Sequence, residues 1–167
     1  MLEVVLDSLP GWGGTAEEWT ALAERAARAA ISETAHGDIL EHPATFELSV
    51  KLADNAEVQA LNAAYRNKDK PTNVLSFPML PPDFMDAAAL TDDGEILLGD
   101  VILAHETCAA EAEEKGLALD VHAAHLIVHG VLHLLGYDHE EHPEAAEEME
   151  EMETHALASL GIADPYA

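Results

Sequence analysis

The stretch HGVLHLLGYDH, residues 129–139, carries histidines at its first, fifth and eleventh places and a glycine at its eighth. Residues four apart on a helix sit one above the other on one face, so His129 and His133 can aim ring nitrogens at a single point. A third ligand on the same straight face would crowd them, so the chain has to turn. Gly136, three residues past His133, is the natural C-cap, because glycine enters the left-handed region at little cost. The segment GYD then swings His139 back over the helix end. Three neutral imidazoles around a tetrahedral ion leave one position open, which suits a catalytic rather than a structural zinc. One zinc ion per chain is therefore expected on His129, His133 and His139. Nitrogen ligands also accept nickel, copper or cobalt.

Zinc peptidases use the frame HExxHxxGxxH, whose glutamate carries a proton from the zinc water to the leaving amine. Gly130 occupies that place here. Two routes stay open: the ion alone lowers the pKa of a coordinated water to about 7, or another acid, Asp100 or Asp138, stands in. Asp138 is first read as orienting a histidine or capping the last helix. His125 shares the face of His129 and His133, but three ligands in line give poor tetrahedral geometry; it is expected behind the ligands or along the cleft. The remaining histidines are expected outside the chemistry. A phosphodiester asks for positive charge on its non-bridging oxygens more than for a carboxylate base. Arg66 can supply that charge through a planar, bidentate fork, which makes it the catalytic candidate. Lys68 and Lys70 follow it as RNA-binding candidates.

These residues need a scaffold, and 167 residues allow one domain with a real core over 1–167. LEVVL (2–6) reads as a strand, and Thr15 with Glu18 forms a capping box for an alanine-rich helix over 16–34. TFELSVKLA (45–53) alternates as a half-buried strand. Asp54 then caps a helix over 55–67 with Val58, Leu61 and Tyr65 as its inner stripe. A strand at 72–78 stops at Pro78, and residues 78–94 read as a long loop or flap. A strand at 95–105, a possible hairpin partner, carries Gly99 as a bulge candidate. Helices follow at 105–115, 119–135 and 143–160, the last with Met149, Met152, Ala156 and Leu160 turned inward. The order β-α-β-α-β-β-α-α-α implies an α+β fold, a mixed sheet of about four strands packed with about five helices, the histidine helix in the core.

The chain holds 33 acidic and 7 basic residues, a formal net charge of −26. Such a surface argues against broad, non-specific nucleic-acid binding. However, Arg66, Lys68 and Lys70 fall within five positions, and distant acids are largely screened beyond a Debye length of about 8 Å. A local basic cluster can therefore still meet a phosphate. The lone Cys108 excludes an internal disulfide and reads as a buried thiol. MLEVVLDSLP has no features of a signal peptide. The most apolar stretch, 117–135, includes Asp120 and four histidines and suits a core helix better than a bilayer span. No membrane association and a cytoplasmic location are expected.

NAAYRNKDKPTNVLSFP (62–78), LGDVILA (98–104) and HLIVHGVLHLLGYDH (125–139) together resemble the YbeY family, bacterial rRNA maturation factors that are metal-dependent single-strand endoribonucleases. The blocks occur in the family's order; the N-terminal 45 residues carry little of the signal. The resemblance implies zinc on His129, His133 and His139 and a functional arginine at Arg66. It implies processing of ribosomal RNA, notably the small-subunit 3′ end, and ribosome quality control. The implied partners are the ribosome, its proteins and the GTPase Era. The alternatives are a non-catalytic assembly factor with a stabilising metal and a zinc hydrolase of another substrate.

Overall fold

The fold was obtained as a computed structural model, which describes residues 1–90, 94–138 and 143–166. The central strand is the one whose alternation was plainest. In β2 (Thr45–Ala53), Phe46, Leu48, Val50 and Leu52 all point one way and are fully buried. β1 (Leu2–Ser8) and β4 (Glu95–Ala104) flank it in parallel, and β3 (Val74–Pro78) runs antiparallel beside β4 at the sheet edge. The order is β1-β2-β4-β3, a mixed sheet as expected. Parallel neighbours need crossovers. Here α1 (Ala16–Ser32) links β1 to β2, while α2 (Asn55–Arg66) and β3 lie between β2 and β4 in sequence.

Helix boundaries follow the local chemistry. Thr15 Oγ1 accepts the Glu18 amide at 3.1 Å, and Asp54 Oδ1 accepts the Glu57 amide at 2.9 Å. Each satisfies an amide that the first turn leaves unpaired. α4 (His105–Lys115) ends at Gly116 with φ +68°, and the chain leaves α5 (Leu119–Leu134) through Gly136 with φ +98°. α6 (Pro143–Ser159) opens on a proline that has no amide to lose.

One apolar cluster joins α1, α5 and α6 to the sheet face of Phe46, Leu48, Val101 and Leu103. A smaller cluster on the other face joins Val58 and Leu61 of α2 to Leu75, Ile102 and Ala104. α5 is buried on nearly every side, which accounts for its apolar composition. Among the described residues, no single helix is long and apolar enough to cross a membrane.

Gly99 sits at the predicted bulge. Glu47 pairs Leu97 and Leu48 pairs Gly99, so Leu98 is the extra residue. A Cβ at Gly99 would stand 2.4 Å from the Phe77 carbonyl oxygen.

Three expectations change. Tyr65 is not part of the inner stripe of α2: it is 72% exposed, edge-on to Phe77, and Asn62 is buried in the same helix instead. The 78–94 stretch is not a bare loop, for it holds a 3-10 turn at Pro82–Phe84 and a one-turn helix, α3 (Met85–Ala88), anchored by fully buried Met85. The inner face of α6 buries Met149, Glu153, Ala156 and Leu157, so a carboxylate enters a stripe expected to be apolar.

Candidate active site

α5 and α2 cover opposite faces of the sheet, and both reach its β3 edge. Between them lies a cleft of about 510 Å³ lined by residues 72–76, which lead into β3, by Arg66, Lys68 and Lys70, and by His129, His133 and Asp138. The edge position matters, because only an edge strand leaves one of its sides free of a neighbouring strand.

His129 and His133, one turn apart on α5, bring their Nε2 atoms to 3.0 Å. The far side of the His129 ring meets Glu153, whose Oε1 faces Nδ1. Burial alone would push the Glu153 carboxyl up, but hydrogen bonds from His125, His129 and Tyr166 outweigh it and hold the group at about 2. An ionised carboxylate only accepts, so Nδ1 of the His129 ring carries the proton of that hydrogen bond, and the lone pair of the neutral ring is then on Nε2. Nitrogens ligating one tetrahedral zinc at 2.0–2.1 Å stand about 3.3 Å apart. The observed spacing is within a few tenths of an ångström of that, so this pair fits two adjacent places on such an ion. A carboxylate behind a ligating histidine is the usual arrangement for fixing its tautomer.

His139, the expected third ligand, lies outside the described residues. The turn that precedes it is formed as predicted: Gly136 N donates to His133 O at 3.0 Å and Tyr137 N to Leu132 O at 3.1 Å. Asp138 then reaches the cleft. It is not the N-cap of α6, which begins five residues later. His125 does not line the cleft; it lies behind His129, with Nε2 3.5 Å from Glu153 Oε2. Asp100 does not line it either. Asp100 shares its side of β4 with Ile102 and Ala104, whereas Val101 and Leu103 face α5.

Gly130 has a steric reason to be glycine. It is buried against the sheet, and a Cβ there would meet Val101 Cγ1 at 2.7 Å and Ser76 Oγ at 3.1 Å. Ser76 Oγ donates to the Gly130 carbonyl at 3.0 Å. The place that holds glutamate in the peptidases is thus filled by β3 and β4.

The basic side of the cleft is built by the exit from α2. Asn67 takes the left-handed conformation, φ 57°, and turns the chain so that Arg66, Lys68 and Lys70 line one wall. Arg66 Nη2 donates to the Ser76 carbonyl at 3.4 Å. Buried Asn62 clamps the loop: its Nδ2 donates to Lys70 O at 2.9 Å, and its own carbonyl accepts the Lys68 amide at 3.2 Å. Sequence reasoning missed Asn62, Ser76 and Glu153. Each looks like an ordinary polar residue until burial singles it out.

The arrangement joins two convergent imidazoles to a cationic wall in one groove, so it can hold an anion against a metal ion. The chain is similar to known proteins along its whole length. The family model described as Endoribonuclease YbeY matches residues 15–161. The Endoribonuclease YbeY of Rhizorhabdus wittichii is 54% identical over 168 residues, covering 100% of this chain and 98% of its own. That of Sphingopyxis alaskensis is 52% identical over 167 residues, covering 100% and 98%. A Thermotoga maritima protein known from its solution structure shares the fold at a TM-score of 0.54 and 22% identity, over 100% of this chain and 99% of its own. With full-length relatives above half identity and a family model spanning the whole site, the chain belongs to the YbeY family.

Proposed function

We propose that the chain is an endoribonuclease that uses one zinc ion, held by His129, His133 and His139, to cut single-stranded ribosomal RNA near the small-subunit 3′ end. Endoribonuclease activity is that of its family. The observation that carries the metal reading is the meeting of the His129 and His133 Nε2 atoms at 3.0 Å in the cleft that Arg66, Lys68 and Lys70 also line.

When bound, the ion would supply Lewis-acid polarisation of a phosphoryl oxygen and a source of hydroxide at neutral pH. The protein's own residues do the rest. Arg66 offers two parallel N–H donors to the non-bridging oxygens of the scissile phosphate, where charge grows in the transition state. Lys68 and Lys70 hold the neighbouring phosphates as point charges. Asn62 and Asn67 fix the loop that presents all three. Glu153 keeps the His129 proton on Nδ1 and away from the cleft. Position 130 itself carries no carboxylate, which favours a phosphodiester over an amide substrate.

Ribosome association, contacts with ribosomal proteins and the GTPase Era, and a cytoplasmic location belong to the same proposal. The test is cleavage of a single-stranded RNA carrying the small-subunit 3′ region. Arg66→Glu should lose at least about 100-fold in rate while keeping its zinc. His133→Ala should lose both metal and activity. Full activity in a metal-free His133→Ala protein would overturn the proposal. A 2′,3′-cyclic phosphate on the product would identify the ribose 2′-hydroxyl as nucleophile, and its absence from the first product would identify water.

A further inference from the structure

Glu153 is an acid in the middle of α6 with 1% of its surface exposed. A buried carboxylate is costly unless its oxygens are filled with donors. Here they are filled from two directions. Oε1 faces His129 Nδ1. Oε2 accepts the Tyr166 hydroxyl, with His125 Nε2 at 3.5 Å. Tyr166 comes from the segment after α6, and that segment is tied down separately. Asp164 Oδ1 accepts the Tyr166 amide at 2.8 Å and the Thr154 hydroxyl at 3.2 Å. The Tyr166 ring lies edge-on to His125 at 5.7 Å. A continuous path thus runs from Thr154 through Asp164 and Tyr166 to Glu153 and the His129 ring.

We propose that Glu153 is the positioning residue for His129, and that the 164–166 segment is a strap whose tyrosine holds the Glu153 carboxylate in line with that ring. It rests on the reading of His129 as a metal ligand. A carboxylate with two free torsions near its end would otherwise rotate toward any donor. The Tyr166 hydroxyl, fixed by a backbone anchored on Asp164, removes that freedom. The far end of the described chain therefore sets the tautomer and tilt of a ring on α5. The class of ligand served is a divalent transition-metal ion in the cleft.

The experiment uses the full chain, with Tyr166→Phe as the main variant because it removes one hydroxyl and keeps the ring against His125. Glu153→Gln is the second variant. Zinc affinity is read by competition with a chelator, and the His129 tautomer by nitrogen-15 NMR of the metal-free protein. Expected are a 10- to 100-fold weaker zinc affinity for Glu153→Gln, a loss of several-fold for Tyr166→Phe, and a His129 signal that shifts away from the Nδ1–H form in both. Thermal unfolding of the metal-free variants separates a positioning effect from simple loss of fold; if Glu153→Gln does not fold, Tyr166→Phe decides. Zinc affinity within twofold of the parent and an unchanged His129 tautomer in a folded Tyr166→Phe protein would overturn the strap. A His129→Ala protein that binds zinc like the parent would instead overturn the ligand reading, and the metal-free NMR would still judge the strap.

Discussion

At the scale of single residues, Gly130 and His122 are each explained by what surrounds them. Replacing Gly130 by alanine improves helix propensity by up to about 1 kcal/mol. The added Cβ, however, would press on fully buried Val101 at 2.7 Å, and overpacking of this kind costs about 1–3 kcal/mol. The net effect of Gly130→Ala should be destabilising, read as a lower denaturant midpoint at unchanged slope. His122 is buried, with Nε2 2.9 Å from Glu111 Oε1 and, among the described residues, no hydrogen-bond partner for Nδ1. Burial lowers its pKa below the ordinary 6.5, against the pull of Glu111. The fold therefore favours the neutral ring, with its proton on Nε2 toward Glu111. Its contribution to stability is complete above pH 6.5 and is lost as the pH falls toward the lower folded value. Between pH 7.5 and 5.5 the parent should lose more unfolding free energy than His122→Gln, as measured by denaturant melts at both pH values.

At the scale of elements, the cleft depends on a short segment with little apolar surface of its own. Residues 67–70 are exposed, and buried Asn62 connects them to α2. Asn62→Ala removes the donor to Lys70 O and should cost about 1–2 kcal/mol. Its sharper signature is local: the amides of residues 68 and 70 should exchange with solvent roughly ten times faster while those of α5 do not change. Caps and C-terminal glycines were legible in the sequence because they are satisfied within a few residues, as at Thr15, Asp54, Gly116 and Gly136. The stripe of α6 was misread for the opposite reason. The partner that makes Glu153 an inward residue stands 24 positions away on another helix.

At the scale of the whole molecule, the net charge of −26 and the basic wall pull in opposite directions. Added salt screens the self-repulsion of the folded chain and should raise its thermal midpoint. The same salt should weaken RNA binding. With Arg66, Lys68 and Lys70 each meeting one phosphate, the single-strand slope of log K against log salt is about −2. Affinity should then fall about 20-fold between 50 and 200 mM salt. Melting curves and binding isotherms over one salt series check both signs, and a slope near zero would mean that the basic wall does not carry the RNA.

By itself the sequence determined the elements and the chemical types at the site, because both are written in short-range patterns. The i, i+4 spacing of His129 and His133, the alternation of β2 and the Arg66–Lys70 cluster need nothing beyond neighbouring residues. Tertiary structure alone decided which of these meet. The strand order put β3 at the edge, so the α2 exit and the α5 face border one cleft. Packing of β3 and β4 against α5 explained the glycine at position 130. The strand's twofold alternation turned Asp100 away from the site, and burial turned Glu153 toward it. Such pairings are long-range, and no periodicity along the chain encodes the partner across a sheet or between helices.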